Sequence, residues 1–579
     1  SDELTVVMKD GTTPSNAFYW WVSSDNLNFA KKNAAASTSF TLPRNNSEQY
    51  VYAVSEDGSI HTATVVVKPI RVSATLNSKK DEKTGKTTYT VVVTNDTGVS
   101  NEELGLSFDY QWYKGTEAQE GQKSASFERP VDAHLSDIYN CHVTAQSGNL
   151  VLSKDTLYVT TVVFLDPNKG IDTNDGYTAS TAVHTWQKAY SKLNEKGSWD
   201  ENVIVLMGTS GEAETKTGFN ISTNYLGINM LTSEVKETVL FRNTTITGKW
   251  KDEEYPAVIQ INGSDVGLPL WGDTRFENLT FQRGTGETYN NIYCQYHNLE
   301  MGEGIKVTGF NYNAPVYGTL DGAVTNALQI FGGLNNDGRF YPLSTTANIE
   351  KFKKAMPHGK EGFSINIKSG FYSCICAGGR QSFNGDNQSY NGIMGTPDMP
   401  IKCSINIDID RKWNDENNKE RMVSGQQRKN DYDIGIVLAG NHEGAMIGDV
   451  DITVKSGMIA RIVNGSLGNS RDITFTDGGT TYHFPANTYM GRANILLDPA
   501  KSENNKSEDI NGRVIVTELY GGSTGRGQNA DTKVNNPFYG YSTITINGGT
   551  FKILPENNSK KSQILCGIFG AGAGGMNGI

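Results

Sequence analysis

No run of this sequence approaches the roughly 20 apolar residues that a membrane-spanning helix requires, and no transmembrane segment is expected in it. The first residues, SDELTVVMKDG, lack the basic start and apolar centre of a secretion signal, which fits a soluble chain already processed or trimmed. The six cysteines show no CxxC spacing and no dense framework, which argues against a zinc ribbon and a disulfide scaffold. Buried thiols are expected instead. Positive charge is also short: 52 Lys and Arg stand against 63 Asp and Glu, a formal charge of -11. No basic patch offsets it, so a nucleic-acid partner is not expected. Prolines number only 16, and little helix is expected: STAVHTWQKAYSKLNE, with Val183, Trp186, Tyr190 and Leu193 on one face, is the main amphipathic helical segment. It predicts a helix near 183–196, capped by Ser180 or Thr181.

What is plentiful is glycine, 62 residues, and tyrosine, 26, in short alternating segments divided by turns. That texture predicts an all-β protein, and 579 residues are too many for one ordinary core. Residues 1–69 give LTVVMK, AFYWWVSS, SFTLP, QYVYAVSED and HTATVVVKP, the spacing of a small β-sandwich. Trp20 and Trp21 are adjacent in a strand, so one of them must face inward.

Residues 70–162 carry a sharper pattern. YQWYKG at Tyr110–Gly115 and SDIYNCHV at Ser136–Val143 place Tyr139 two residues before Cys141. This resembles an immunoglobulin-like domain, with Trp112 where the buried strand-C tryptophan stands and Tyr139 at the tyrosine-corner spacing. TTYTVVVTND at Thr87–Asp96 contains no partner cysteine, so no intersheet disulfide is expected. Asp166, Asp172, Asn174 and Asp175 lack the glycine and closing glutamate of an EF-hand and read as a turn-rich loop.

Beyond residue 163 one phrase recurs: SINIKSG at Ser364–Gly370, CSINIDID around Ile405, DITVKSG at Asp451–Gly457 and TITINGG at Thr543–Gly549. Apolar and polar residues alternate in each, predicting one core face and one surface face. Ile365, Ile452 and Ile544 lie 87 and 92 residues apart (452 − 365, 544 − 452), near multiples of about 22, a solenoid period. The glycines at 370, 457 and 549 would turn the chain out of one sheet into the next. Together with FENLTFQRG and the helix before VIVLMG, residues 163–579 resemble the right-handed parallel β-helix proteins of the pectate-lyase-like superfamily. The expected architecture is therefore two immunoglobulin-like β-sandwiches, 1–69 and 70–162, before a right-handed parallel β-helix with an N-terminal cap helix. The ending CGIFGAGAGGMNGI shows no cap of its own, so a continuation past Ile579 or a covering segment is expected.

The resemblance implies a bacterial secreted or cell-surface protein that engages an extended polysaccharide or surface glycan, and, where catalysis is present, a polysaccharide lyase or glycoside hydrolase. The Asn-x-Asp, Asp-Asp, Gly-His-Gly and Arg-x-Lys series of polygalacturonases is absent. GNHEG at Gly440–Gly444 echoes it faintly, and His442 reads as a turn residue. What the residues themselves offer is Asp408 with Asp410 and Asp449 with Asp451, each pair two apart on an outward strand face. That spacing could frame an acid and a base or hold Ca2+, the one cofactor the residues suggest. Lys455 and Arg461 lie near the second pair. In the insertion 380–400, Phe383, Asn384, Asp386 and Tyr390 are the stacking and hydrogen-bonding types that bind sugars. The rival reading is a noncatalytic adhesin or structural stalk.

Overall fold

The structure is a computed structural model and describes residues 2–81, 86–130, 139–196, 202–219, 243–261, 268–270, 272–284, 290–309, 328–333, 362–379, 393–394, 400–418, 432–441, 445–468, 473–477, 480–484, 489–504, 509–525, 538–552 and 567–570. It is mostly β with a large parallel sheet. The chain divides into two compact units, the first built on Ser1–Thr161 and the second on Val162–Glu195 with Asp200–Ile579.

The first unit holds two separate cores. In the earlier one, Phe18–Ser23 runs antiparallel to Gln49–Ser55, with Trp20 opposite Ala53 and Trp21 opposite Tyr52. The period of two turns Phe18, Trp20 and Val22 onto Leu42, Val51 and Ala53. Trp20 is thus the buried tryptophan and Trp21 faces outward. In the later one, a three-stranded and a four-stranded antiparallel sheet share Tyr89, Trp112, Phe127, Tyr139 and Cys141. Trp112 stacks on Phe127 at 4.9 Å and donates its indole N–H to the Ser124 carbonyl at 2.9 Å, so its one polar atom is satisfied. Cys141 is a free buried thiol, pushed up to about 12 by desolvation. Tyr89 and Val91, from the strand where a partner cysteine was sought, fill this core instead.

In the second unit the helix spans Trp186–Lys196 and buries Trp186, Ala189, Tyr190 and Leu193. It begins three residues later than the periodicity predicted. Val183 is drawn into an extended bridge with Leu165. Asp172 accepts the backbone N–H groups of His184 and Thr185 at 2.9 and 3.0 Å, and the Thr185 hydroxyl accepts from Lys188 N. Thr185 therefore does the capping assigned to Ser180 or Thr181, which lie in a separate short turn, Ala179–Thr181.

Beyond the helix, strands add to a large sheet, nineteen strands among the described residues, and each of their pairings of defined register is parallel. Two stacks run through it. In the first, Ile246, Phe276, Met301, Ile367, Ile407, Val454, Leu497 and Ile546 are successive register partners. The isoleucines of the recurring phrase fall in the next line, Ile365, Ile405, Ile452, Ile495 and Ile544. Stacking of the phrase is thus seen directly, but the interval of about 22 residues is not. The step is 25 residues from Phe276 to Met301 (301 − 276) and 66 from Met301 to Ile367 (367 − 301), because segments of unequal length are inserted between strands.

Tyr293, Phe331, Cys376, Leu438, Val463, Tyr520 and Phe569 form the matching line of the second stack. Ala445–Val463 belongs to both: its first half pairs with Ile401–Asp408 and its second with Ile434–Leu438. Gly457 sits at the changeover with φ +146°, which only a residue without Cβ adopts freely.

The two stacks differ in how many faces they bury. Central strands of the first, such as Phe363–Ile367, alternate buried and half-buried, whereas Tyr372–Cys376, Ile434–Leu438 and Val514–Tyr520 are buried throughout. One core face with one surface face therefore describes the first stack only. In the second, Ile375, Val437, Ile462 and Leu519 enter the main core, while Phe331, Cys376, Leu438, Val463 and Tyr520 form a separate cluster on the opposite face. Sheets covered on both faces read as near-continuous apolar runs.

Candidate functional site

The outward face of the first stack is a ladder of polar side chains. Arg275 pairs with Glu277 at 2.7 Å and reaches Glu300 at 3.6 Å, and Lys368 meets Glu300 at 2.9 Å. Further up the same line Asn406 donates its amide to Asn366 Oδ1 at 2.9 Å, and beside it Asn298 Oδ1 accepts from the Ser364 backbone and hydroxyl at 2.8 and 3.1 Å. Register forces the arrangement: Ser364, Ser404, Asp451, Asn494 and Thr543 are aligned partners, as are Glu300, Asn366, Asn406 and Thr453. Such groups recur at the strand spacing of about 4.8 Å.

Four aspartates expected to carry chemistry lie on or beside this face, and each has a structural partner. Asp408 accepts the Ser502 hydroxyl at 2.6 Å on one carboxylate oxygen and Glu503 N at 2.9 Å on the other, while its carbonyl takes the Asn504 amide at 2.6 Å. It fastens the segment 502–504 to the stack. The strand ends there, Ile401–Asp408, and Asp410 instead caps the helix Arg411–Asn417 by accepting from Trp413 N at 3.0 Å. The two are therefore not neighbours on one strand face.

That helix is a polar plug. Asn414, fully buried, accepts from Gly370 N at 2.9 Å and donates to the Gly370 carbonyl at 2.8 Å and to Asp433 Oδ1 at 2.6 Å. Asn418, one turn on, takes the Val307 N–H and donates to Asn414. Asp449 accepts Arg492 N at 3.0 Å, and Asp451 accepts the Asn494 amide at 2.6 Å with the Arg492 guanidinium 3.7 Å away.

The two pairs do not converge. Asp451 is aligned with Ser404, four residues before Asp408, or roughly 13 Å along the strand at its usual rise. Among the described residues no group of three or more His, Cys, Asp or Glu side chains is placed to hold a metal ion. His297 and Asp273 approach to 3.7 Å, beyond hydrogen-bond range. Phe383, Asn384, Asp386 and Tyr390 lie outside the described residues, as do His442 and Cys566. No described helix is long and apolar enough to cross a membrane.

If Asp410 serves as a cap, Asp410→Ala should cost about 1 kcal/mol of stability, and Asp410→Asn or Asp410→Ser should recover most of it. Urea denaturation of the three variants measures this, and a loss shared equally by Asn and Ser would point to a task other than capping.

One constellation escaped the sequence reading. Arg461, placed there near the aspartates, points away from them into the second stack and is held by Glu518 at 2.6 Å. The pair is 6% and 3% exposed and is aligned across adjacent strands, with the Tyr520 ring 5.7 Å from the guanidinium carbon. A lone charge inside each of two apolar runs, MIARIV and VIVTELY, was the available signal. Burial raises the pKa of the Cys294 and Cys403 thiols in the main core. Burial likewise raises that of the Tyr489 phenol, whose hydroxyl bridges the Gly448 and Arg492 carbonyls at 3.0 Å each.

Compared with known proteins, the chain matches no family model, no curated protein and no solved structure.

Proposed function

We propose that the second unit is a right-handed parallel β-helix of the pectate-lyase-like kind, preceded by two immunoglobulin-like modules, and that the chain is a secreted or cell-surface protein engaging an extended polysaccharide without cleaving it. The observation that carries this reading is the polar ladder on the first stack: Ser364, Ser404, Asp451, Asn494 and Thr543 repeat one functional height per strand. A linear polymer of sugars offers hydroxyl groups at a comparable repeat, so successive rungs can meet successive sugars with one hydrogen bond each. Parallel strands joined by long crossings favour the right-handed sense.

Binding is preferred to cleavage because Asp408, Asp410, Asp449 and Asp451 each accept hydrogen bonds from backbone or side-chain groups, and the pair Asp449 and Asp451, which shares one strand face, does not converge with Asp408 or Asp410. A lyase or hydrolase needs its acid and base at one bond. The adhesin and stalk readings share this absence of turnover and differ only in whether the ladder has a ligand.

The test is a panel of acidic and neutral polysaccharides, with and without calcium, scored for binding, for new reducing ends and for unsaturated-uronate absorbance. Expected is binding without either product, weakened about fivefold by Asn406→Ala. Products abolished by Asp408→Ala would overturn the noncatalytic reading, and absence of all binding would leave the stalk.

A further inference from the structure

In the earlier core of the first unit, the four-stranded sheet that contains Phe18–Ser23 and Gln49–Ser55 keeps its core on one side and, on the other, carries rings that no core needs. Trp21 and Tyr52 are cross-strand partners with centroids 6.0 Å apart and planes within 6° of parallel. His61 continues the row, stacked on Tyr52 at 5.0 Å, and Phe29 meets Tyr52 edge-on at 4.8 Å. Lys31, opposite Trp21, lays its ammonium 3.3 Å from the centre of the Tyr19 ring. None of these side chains is buried. The Trp21 indole N–H and the Tyr19 and Tyr52 hydroxyls make no hydrogen bond to the described residues, and Lys31 meets no carboxylate among them.

From this geometry we propose that the outward face of Phe18–Ser23 and Gln49–Ser55 is a binding site for an acidic glycan, one bearing uronate carboxylates. Rings with parallel planes and open polar tips suit a sugar, which turns a face of C–H groups to an aromatic ring and its hydroxyls to donors and acceptors at the rim. An aliphatic partner surface would leave those tips unpaired. Charge selects among sugars. Lys31 is a cation held by a ring and lacking a carboxylate, and a uronate supplies one in a charge-assisted hydrogen bond. This site lies in the first unit and is independent of the ladder in the second.

The experiment uses the full chain and two polymers, polygalacturonate and the neutral dextran, read by retardation in affinity gels and by titration calorimetry. The wild type should bind polygalacturonate and not dextran. Trp21→Ala and Tyr52→Ala should each weaken binding about tenfold, with Trp21→Phe retaining most of it. Lys31→Gln should weaken binding and flatten its salt dependence. Unfolding midpoints of these variants should stay near that of the wild type, since the rings stand outside the core. Asn406→Ala separates this site from the ladder: affinity lost there but intact in Trp21→Ala would overturn this proposal while sparing the ladder. Equal binding of dextran, or no binding of polygalacturonate, would also overturn it. So would a dimer in gel filtration that Trp21→Ala dissolves, since the face would then serve a second copy.

Discussion

Glu518→Ala is expected to destabilise the parallel stack by about 3–5 kcal/mol. The carboxylate is 3% exposed and bonded to Arg461 at 2.6 Å through both Nε and Nη2. Its removal takes from a buried guanidinium the carboxylate that both Nε and Nη2 hold. The attraction within the intact pair is largely offset by desolvation of both ions, so the penalty belongs to breaking the pair more than to lacking it. Arg461→Met with Glu518→Leu should therefore recover to within about 1 kcal/mol of the wild type. Urea midpoints of the two single variants and the double variant close the cycle, and a double variant as weak as either single would reject this account.

The second large effect is Gly491→Ala. Gly491 has φ +137°, and a Cβ built there would lie 2.0 Å from the Gly448 carbonyl oxygen of the neighbouring strand. Backbone strain and overpacking, each of order 1–3 kcal/mol, act together, for a loss of roughly 3 kcal/mol or more. Gly512 is the control: a Cβ there meets nothing within 4 Å, and it stands in the helical turn Ile510–Arg513. Gly512→Ala should be neutral or stabilising by up to about 1 kcal/mol. Thermal unfolding of both variants decides the matter, and equal shifts would refute the argument from close approach.

Much of the stack was legible because alternation is written into each strand. Phe363, Ile365 and Ile367 have to share a face whatever lies around them, and so do Val450, Ile452 and Val454. The rung at Ile495 went unread because ANILLDPA breaks the alternation and carries no closing glycine. A second recurring signal also escaped notice: Phe331-Gly332-Gly333, Ala377-Gly378-Gly379, Ala439-Gly440-Asn441 and Asn464-Gly465-Ser466 close successive strands of the second stack. In the structure Gly378 N bonds to the Gly440 carbonyl at 3.2 Å, and Gly440 N to that of Gly465 at 2.9 Å.

The candidate aspartates were legible as positions and not as roles. A pattern of two residues along a strand says that Asp408 and Asp410 can share a face only if the strand continues. It stops at Asp408 because Asp410 is the better helix cap, a choice made by the helix that follows. Arg461 was read beside Asp451 because they are close in sequence, yet the turn at Gly457 carries it onto another stack, where its partner is 57 residues away.

The sequence by itself thus determined what depends on local period and composition: an all-β chain, one tryptophan of the pair Trp20 and Trp21 inward, thiols without disulfide spacing, and a repeated strand whose isoleucines stack. Only the tertiary structure decided which tryptophan is outward, which stack is covered on both faces, and which charges meet. Alternation is a property of neighbouring residues, whereas register, coverage and ion pairing are set by strands tens of residues apart, and the separation between them follows from inserted segments rather than from any period.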